Sequence, residues 1–244
     1  MSRFYVPKES VKGNIINIGG KEAHHILDVM RLKVPDKVVT FDGTGKEYTG
    51  FIKEIRTRSV IVEIVETKTP RGREFSGITL IQAIPKKDKM DYIVEKSTEL
   101  GISKIMPLVT GRTIPNWDAS KKASSVERWR KIAMEASKQC GRADIPEVDD
   151  IKNFRDIAAE ADSYDLALIA ALDDKAIKLK DALKGFTGGK VLIAIGPEGD
   201  FTADEIEEAK RSGFKLVSLG SRVLKSDTAG LFVLAILNYE LTNQ

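Results

Sequence analysis

The chain of 244 residues has one cysteine, Cys140, and two histidines, the neighbours His24 and His25. A lone cysteine excludes an internal disulfide framework and fits a reducing, cytoplasmic setting. Adjacent residues on a helix point about 100° apart, so the two histidines are poorly placed to clamp one ion, and no metal is expected. The opening "MSRFYVPKES" is polar and charged, so no secretory signal is expected. The longest strongly apolar run, residues 231–237, is far too short to cross a bilayer. Nucleotide and nucleophile signatures are missing too. No G-x-G-x-x-G follows a strand, "GGKV" at 188–191 lacks the rest of a P-loop, and no G-x-S-x-G elbow occurs. Hydride transfer, P-loop phosphoryl transfer and serine hydrolysis all lose ground.

What is present is an uneven charge. Residues 1–142 carry 27 Lys+Arg against 17 Asp+Glu, while residues 143–244 carry 12 against 19. A basic half suits a polyanionic partner, most simply nucleic acid; a solvated surface of uneven charge is the plainer alternative. The pattern of elements also changes along the chain. Residues 1–72 hold short runs rich in Val, Ile, Tyr, Phe and Thr ("NIINIG", "KVVTFDG", "EYTGFIKEI", "SVIVEIVET"), which predict a small β-barrel. One helix is expected among them over residues 20–32, with Ala23, Ile26, Leu27 and Met30 at helical spacing. "KTPRGREFSG" (68–77) reads as a linker. Over residues 73–244 strands and helices alternate, predicting a mostly parallel sheet covered by helices on both faces. The final helix, from Ser226, is apolar almost all round and is expected to be buried or to lie in a subunit interface.

In open α/β sheets, ligands bind outside the carboxyl ends of the strands. Three late loops qualify: those after Leu172, after Ile195 and after Leu219. The second is Gly196-Pro197-Glu198-Gly199, leading into "DFTADE", where Thr202 and Glu205 form a capping-box pattern. The third is "GSRVLK" (220–225). Glycines there permit close approach to a ligand, and the proline stiffens the loop. Ordinary punctuation between strand and helix would use some of the same residues.

Together "IGPEGDFTADE" and "LGSRVLKSDTAG" resemble the RsmE family of 16S ribosomal RNA uridine methyltransferases, of the SPOUT class. "EAHHILDVMRLKVPDKV", "KKDKMDYIVEKSTELGISKIMPL" and "RWRKIAMEASKQCGRADIPEV" extend the resemblance over nearly the whole chain. Asp200 stands where the family pattern usually has Gly, Lys225 where it has Arg, and Asp227 where it has Glu. The resemblance implies a PUA-like RNA-binding barrel (1–72) and a SPOUT methyltransferase domain (73–244) with a C-terminal trefoil knot. It also implies a homodimer that uses S-adenosyl-L-methionine to methylate N3 of a uridine in small-subunit rRNA. A SPOUT enzyme for another nucleotide, or a silent RNA-binding assembly factor of the ribosome, are the alternatives.

On this reading the backbone at Leu172, Ile195, Gly196, Gly199, Leu219, Gly220 and Leu224 contacts the cofactor. Glu198 is the candidate base or positioning carboxylate, with a structural role accepting loop amides as its alternative. Arg222 is the candidate for stabilising the uracil or a phosphate, with an inter-subunit ion pair as its alternative. RNA contacts are expected at Lys86, Lys87 and Lys89. They are also expected along one helical stripe, Arg128, Lys131, Lys138 and Arg142, beside a second, apolar stripe of Val126, Trp129, Ala133 and Ala136. Arg31, with His24 and His25, adds a further RNA face, or for the two histidines a place in the barrel's packing.

Overall fold

The computed structural model describes residues 3–69, 77–113 and 117–242. It divides into two compact units, Met1–Gly72 with Met134–Ile145, and Arg73–Ala133 with Pro146–Gln244. Most of the linker expected over 68–77 lies outside the described residues.

In the first unit the strands are β1 (Arg3–Tyr5), β2 (Val11–Lys12), β3 (Ile15–Gly19), β4 (Lys37–Phe41), β5 (Glu47–Arg56) and β6 (Ser59–Lys68), with helix α1 (Gly20–His24) between β3 and β4. Their order is β1-β4-β5-β6-β3-β2, antiparallel except for β1 against β4. Side chains from β1 at one edge across to β3, next to the other edge, meet in one core: Phe4 of β1, Val38, Tyr48, Ile52, Val60, Val62, Ile16 and Ile18, with Ala23 and Ile26. A flat sheet of this width could not bring Phe4 and Ile16 into one cluster, so the sheet curls as a barrel does.

The helix expected over 20–32 is shorter than its spacing suggests. After α1 the chain makes a π-type turn over His25–Val29, with the Met30 N–H bonded to the His25 carbonyl at 2.9 Å. That wider turn rotates the next residues off the helical register. Ile26 stays buried, whereas Met30 is exposed, and Arg31 takes a positive φ of 54° that ends the run. Residues 134–145 join this unit for specific reasons. Lys138 Nζ donates to Glu22 at 2.7 Å, Gly45 N to the Ala143 carbonyl at 3.0 Å, and Ile145 N to the Gly43 carbonyl at 3.0 Å.

The second unit alternates strand and helix: β7 (Gly77–Ala83), α2 (Lys89–Glu99), β8 (Lys104–Val109), α3 (Ala119–Cys140, whose last turns belong to the first unit), β9 (Glu147–Val148), β10 (Lys152–Asn153), α4 (Phe154–Ala158), β11 (Leu166–Ala170), β12 (Ile177–Lys178), α5 (Leu179–Ala182), β13 (Lys190–Ile195), α6 (Ala203–Arg211), β14 (Lys215–Ser218) and α7 (Ser226–Thr242). Every described strand pair in this sheet is parallel, in the order β10-β8-β7-β13-β11-β14-β12, with β9 beside β8. β7 is buried along its whole length, as a central parallel strand must be when both faces are covered. Ile81, Leu192, Ala194, Ala167 and Ile169 pack against Ile157 of α4 and Ile206 and Ala209 of α6. The opposite side chains of β7, Leu80 and Gln82, meet Gly230 of α7, and α7 packs on α2. The two-period of the strands thus assigns α4 and α6 to one face and α7 to the other. The expected capping box opens α6: Thr202 accepts from Glu205 N, and the Glu205 carboxylate accepts from Thr202 N.

Candidate active site at the carboxyl edge of the parallel sheet

β13, β11 and β14 are neighbours in the sheet and parallel, so their following loops emerge along one edge. Those loops enclose a cleft of about 240 Å³. Leu172, Ile195, Gly196, Leu219, Gly220 and Leu224 all line it, as do Glu198, Asp200, Arg222 and Lys225. Gly199 is not among the lining residues; its carbonyl accepts from Arg112 Nη1 at 2.6 Å. The same guanidinium reaches the Phe201 carbonyl at 3.2 Å. Gly111 N donates to Glu205 Oε1 at 2.8 Å, so the loop after β8 braces the outer side of the Gly196–Asp200 turn.

The inner side is braced from the other face of the sheet. Ser226, the first residue of α7, donates through Oγ to the Gly196 carbonyl at 2.6 Å. Ser226 Oγ in turn accepts from Gln82 Nε2 at 2.9 Å, and Gln82 is fully buried at the end of β7. Because the serine hydroxyl accepts from the amide, its one proton is committed to Gly196. The relay therefore fixes the orientation of a peptide that faces the cleft. Gly196 itself needs to be small: a Cβ there would lie 3.2 Å from the Phe201 ring.

Glu198 is exposed, and its Oε1 accepts from the Lys86 backbone N–H at 3.1 Å. This is the loop-bracing contact that was one of its two expected roles, and it brings the β7–α2 loop to the cleft. The Leu172 amide is also committed, donating to Asp200 Oδ2 at 2.9 Å. Leu172 therefore has its carbonyl and side chain to offer a ligand. Gln82, Arg112, Asp200 and Ser226 were not singled out as site residues in the sequence. The signal that could have found Gln82 is a lone amide in the otherwise apolar strand "ITLIQAI".

The candidate RNA residues fall into two groups. Among the described residues Arg31, Lys86, Lys87, Lys131, Arg222 and Lys225 are exposed and make no ion pair. The other cations are partnered. Lys89 pairs with Asp227 at 3.1 Å, and Arg128 with Asp91 at 2.7 Å. The Asp91 hydrogen bond holds the Arg128 guanidinium above its ordinary pKa, against the opposing effect of burial. In the first unit, Lys138 is only 13 % exposed and bonds both Glu22 and Glu135. Burial there opposes its charge, yet the two carboxylates outweigh that and raise the ammonium's pKa. Arg142 pairs with Asp144 at 2.6 Å. Of the stripe read from the sequence, three of four cations already face carboxylates, which leaves less charge to release counterions from a phosphate backbone. Val126, Trp129, Ala133 and Ala136 are buried as the second stripe required. His25 packs edge-on against Phe4, the barrel-packing alternative, while His24 is exposed beside Asp28. Among the described residues no cluster of acidic, histidine or cysteine side chains is arranged to hold a metal, and no helix is long and apolar enough to cross a membrane.

Known proteins share this geometry. Residues 73–238 match the profile of an RNA methyltransferase domain, and residues 18–65 that of an RNA methyltransferase PUA domain. The chain is 30 % identical to ribosomal RNA small subunit methyltransferase E of Rickettsia conorii, over 96 % of its own length and 93 % of the relative's. It is 28 % identical to the protein of the same name from Bacillus subtilis, over 98 % and 97 %. Among solved structures, ribosomal RNA small subunit methyltransferase E of Neisseria gonorrhoeae bound to S-adenosyl methionine superposes with a TM-score of 0.86 at 31 % identity, covering 99 % of this chain and 98 % of that one. A Legionella pneumophila protein in complex with the same cofactor gives 0.85 at 32 % identity, over 97 % and 96 %. The fold is the SPOUT methyltransferase α/β fold preceded by a PUA-like domain, as the sequence resemblance implied. Because the match runs through both units and the whole parallel sheet, the chain belongs to the ribosomal RNA small subunit methyltransferase E family.

Proposed function

We propose that this protein transfers a methyl group from S-adenosyl-L-methionine to N3 of a uridine in 16S rRNA of the small ribosomal subunit. The observation that carries the reading is the cleft. Three loops at the carboxyl ends of adjacent parallel strands line it with backbone and apolar groups, and in relatives of the same fold the cofactor is bound. The residues present fit a cation of this kind. Gly196 and Gly220 let the main chain come close, Ala170, Val217, Leu219 and Leu224 offer apolar surface, and the carboxylates of Glu198 and Asp200 stand at the wall. When bound, the cofactor would supply an electrophilic methyl on a sulfonium: as the N3–CH3 bond forms the S–CH3 bond breaks, a neutral thioether leaves, and the N3 proton passes to solvent.

The chain's own residues do the positioning on which an in-line displacement depends. Leu172, Ile195, Gly196, Leu219, Gly220 and Leu224 hold the cofactor. Glu198 keeps the β7–α2 loop against the cleft, so that Lys86 and Lys87 stand beside it to take RNA phosphates. Arg222, exposed on the lining and without an ion pair among the described residues, donates to the uracil oxygen on which negative charge develops as N3 loses its proton. The exposed apolar side chains Phe232 and Tyr239 on α7, with Val223 at the cleft, support assembly as a homodimer. The Ser226 and Gln82 bonds, which draw the start of α7 between the ends of β7 and β13, support a knotted C-terminal segment. A ribosomal substrate supports a cytoplasmic site for the reaction.

Calorimetric titration with S-adenosyl-L-methionine tests the reading. Binding at one site per chain is expected. A folded protein that binds RNA but takes up no cofactor would make it a silent assembly factor instead.

A further inference from the structure

Asp200 has a φ of 60°, the left-handed region that glycine adopts freely and that other residues enter at a cost, Asp and Asn least. A side chain retained there needs a use, and the structure provides one. Asp200 N donates to the Pro197 carbonyl at 3.0 Å, closing the turn. Its Oδ1 accepts from Phe201 N at 2.8 Å, and its Oδ2 accepts from Leu172 N at 2.9 Å. The last bond joins the loop after β13 to the loop after β11.

That junction is thin. Ala171, Leu172 and Asp200 line the cleft and also a second hollow, which includes Arg112, Asp173 and Phe201. These residues form the wall that the two hollows share. Leu172 is 69 % exposed, so packing does little to hold it. Upstream, Ala171 N is bonded to the Val217 carbonyl at 3.2 Å; downstream, the bonds of Lys175 and Ala176 go back to Asp173 within the same loop. Between them, the Asp200 carboxylate is the group that anchors Leu172 to a neighbouring element.

We propose that Asp200 is a positioning residue for the cofactor, its carboxylate pinning Leu172 so that this wall of the cleft is already formed before the ligand arrives. The proposal rests on the reading that the cleft takes S-adenosyl-L-methionine. A wall fixed in advance spares the ligand the ordering of a loop, so the effect falls on affinity rather than on the chemical step.

The test compares wild type, Asp200→Gly and Asp200→Asn. Glycine keeps the backbone turn without strain and removes only the carboxylate; asparagine tolerates the same φ and keeps an acceptor oxygen. For Asp200→Gly the dissociation constant and KM for S-adenosyl-L-methionine are expected to rise about tenfold, the worth of one charge-assisted hydrogen bond, with kcat at saturation within about twofold. Asp200→Asn should recover most of the affinity. In the unliganded protein, hydrogen exchange at the Leu172 amide should be faster in Asp200→Gly than in wild type. Unchanged cofactor affinity in Asp200→Gly, or a loss in kcat with KM unchanged, would overturn the proposal while leaving the proposed function standing. A wild type that binds no cofactor, even with its Leu172 amide protected, would overturn both.

Discussion

Gly230 offers a test in which two known effects oppose each other. It lies in the second turn of α7, where replacing glycine by alanine ordinarily stabilises a helix by about 1 kcal/mol. A Cβ at Gly230 would stand 2.9 Å from Gln82 Oε1 and 3.6 Å from Leu80 Cδ2. The first distance is too short, and Gln82 is not free to yield. It is fully buried, and its Nε2 bonds both Ser226 Oγ and the Ala83 carbonyl. Turning the amide away would leave a buried donor unsatisfied, at about 1–3 kcal/mol, and shifting α7 instead costs a similar amount as overpacking. The clash outweighs the propensity, so Gly230→Ala should destabilise the protein by a net of about 1–2 kcal/mol. For a chain of this size that lowers Tm by about 2–8 °C. Thermal and urea unfolding followed by circular dichroism would measure it. In a Gln82→Ala background the obstacle is gone, and the same substitution should become neutral or stabilising by up to about 1 kcal/mol. A neutral or stabilising effect in the wild-type background would refute the claim that a latched Gln82 sets the approach of α7 to β7.

Three further outcomes are expected. Asp149 lies 3.0 Å from Lys104 and 3.3 Å from Lys152. Burial works against its charge, but the Lys104 hydrogen bond and charge, with Lys152, prevail and hold its carboxyl below the ordinary carboxylate range. The stability this contributes is present above the unfolded pKa of about 3.9 and is lost as pH falls through the lower folded value. Asp149→Asn should therefore be less stable than wild type at neutral pH and lose less between about pH 4 and pH 2; parallel urea-midpoint curves would rule this out. Glu198→Gln keeps an acceptor for the Lys86 amide and should keep near-wild-type turnover at saturating RNA, whereas Glu198→Ala should lose it. A drop of about a hundredfold or more in kcat for Glu198→Gln would instead make the carboxylate a general base. Arg222→Ala should lower kcat by about 100–1,000-fold if it stabilises the developing charge; a change confined to the KM for RNA would make it a phosphate contact only.

How much of the fold and the cleft was legible in the sequence depended on whether the signal was local. The alternation of apolar runs and helices from Ile78 onward, and the Thr202–Glu205 capping box, are local patterns, and the parallel sheet and α6 obey them. Loops after three strands could be named as ligand loops because the carboxyl edge is a topological rule. Their convergence required β13, β11 and β14 to be neighbours, which no local pattern states. The π-type turn at His25–Val29 was hidden because Ala23, Ile26, Leu27 and Met30 keep helical spacing whether or not one residue is looped out. The carboxylates that face most of the basic stripe from Arg128 to Arg142 were hidden for a similar reason. Glu22 and Asp91, which pair with Lys138 and Arg128, are supplied by other segments, and Asp144, two residues beyond Arg142, lies outside the helical spacing of the stripe. Gln82, Ser226 and Asp200 act through bonds spanning 144, 30 and 28 residues of sequence, beyond the reach of periodicity or spacing.

Methyl transfer to N3 of a uridine in small-subunit rRNA leaves a modified nucleoside that can be detected on its own. Small-subunit rRNA from a strain lacking this gene, and from the same strain with the gene restored, would be digested and mapped by mass spectrometry. One 3-methyluridine is expected to be absent from the first and present in the second, restored by the wild-type protein and not by a variant that cannot bind S-adenosyl-L-methionine. Identical modification in both strains, or a methyl that maps to another base or another RNA, would contradict it.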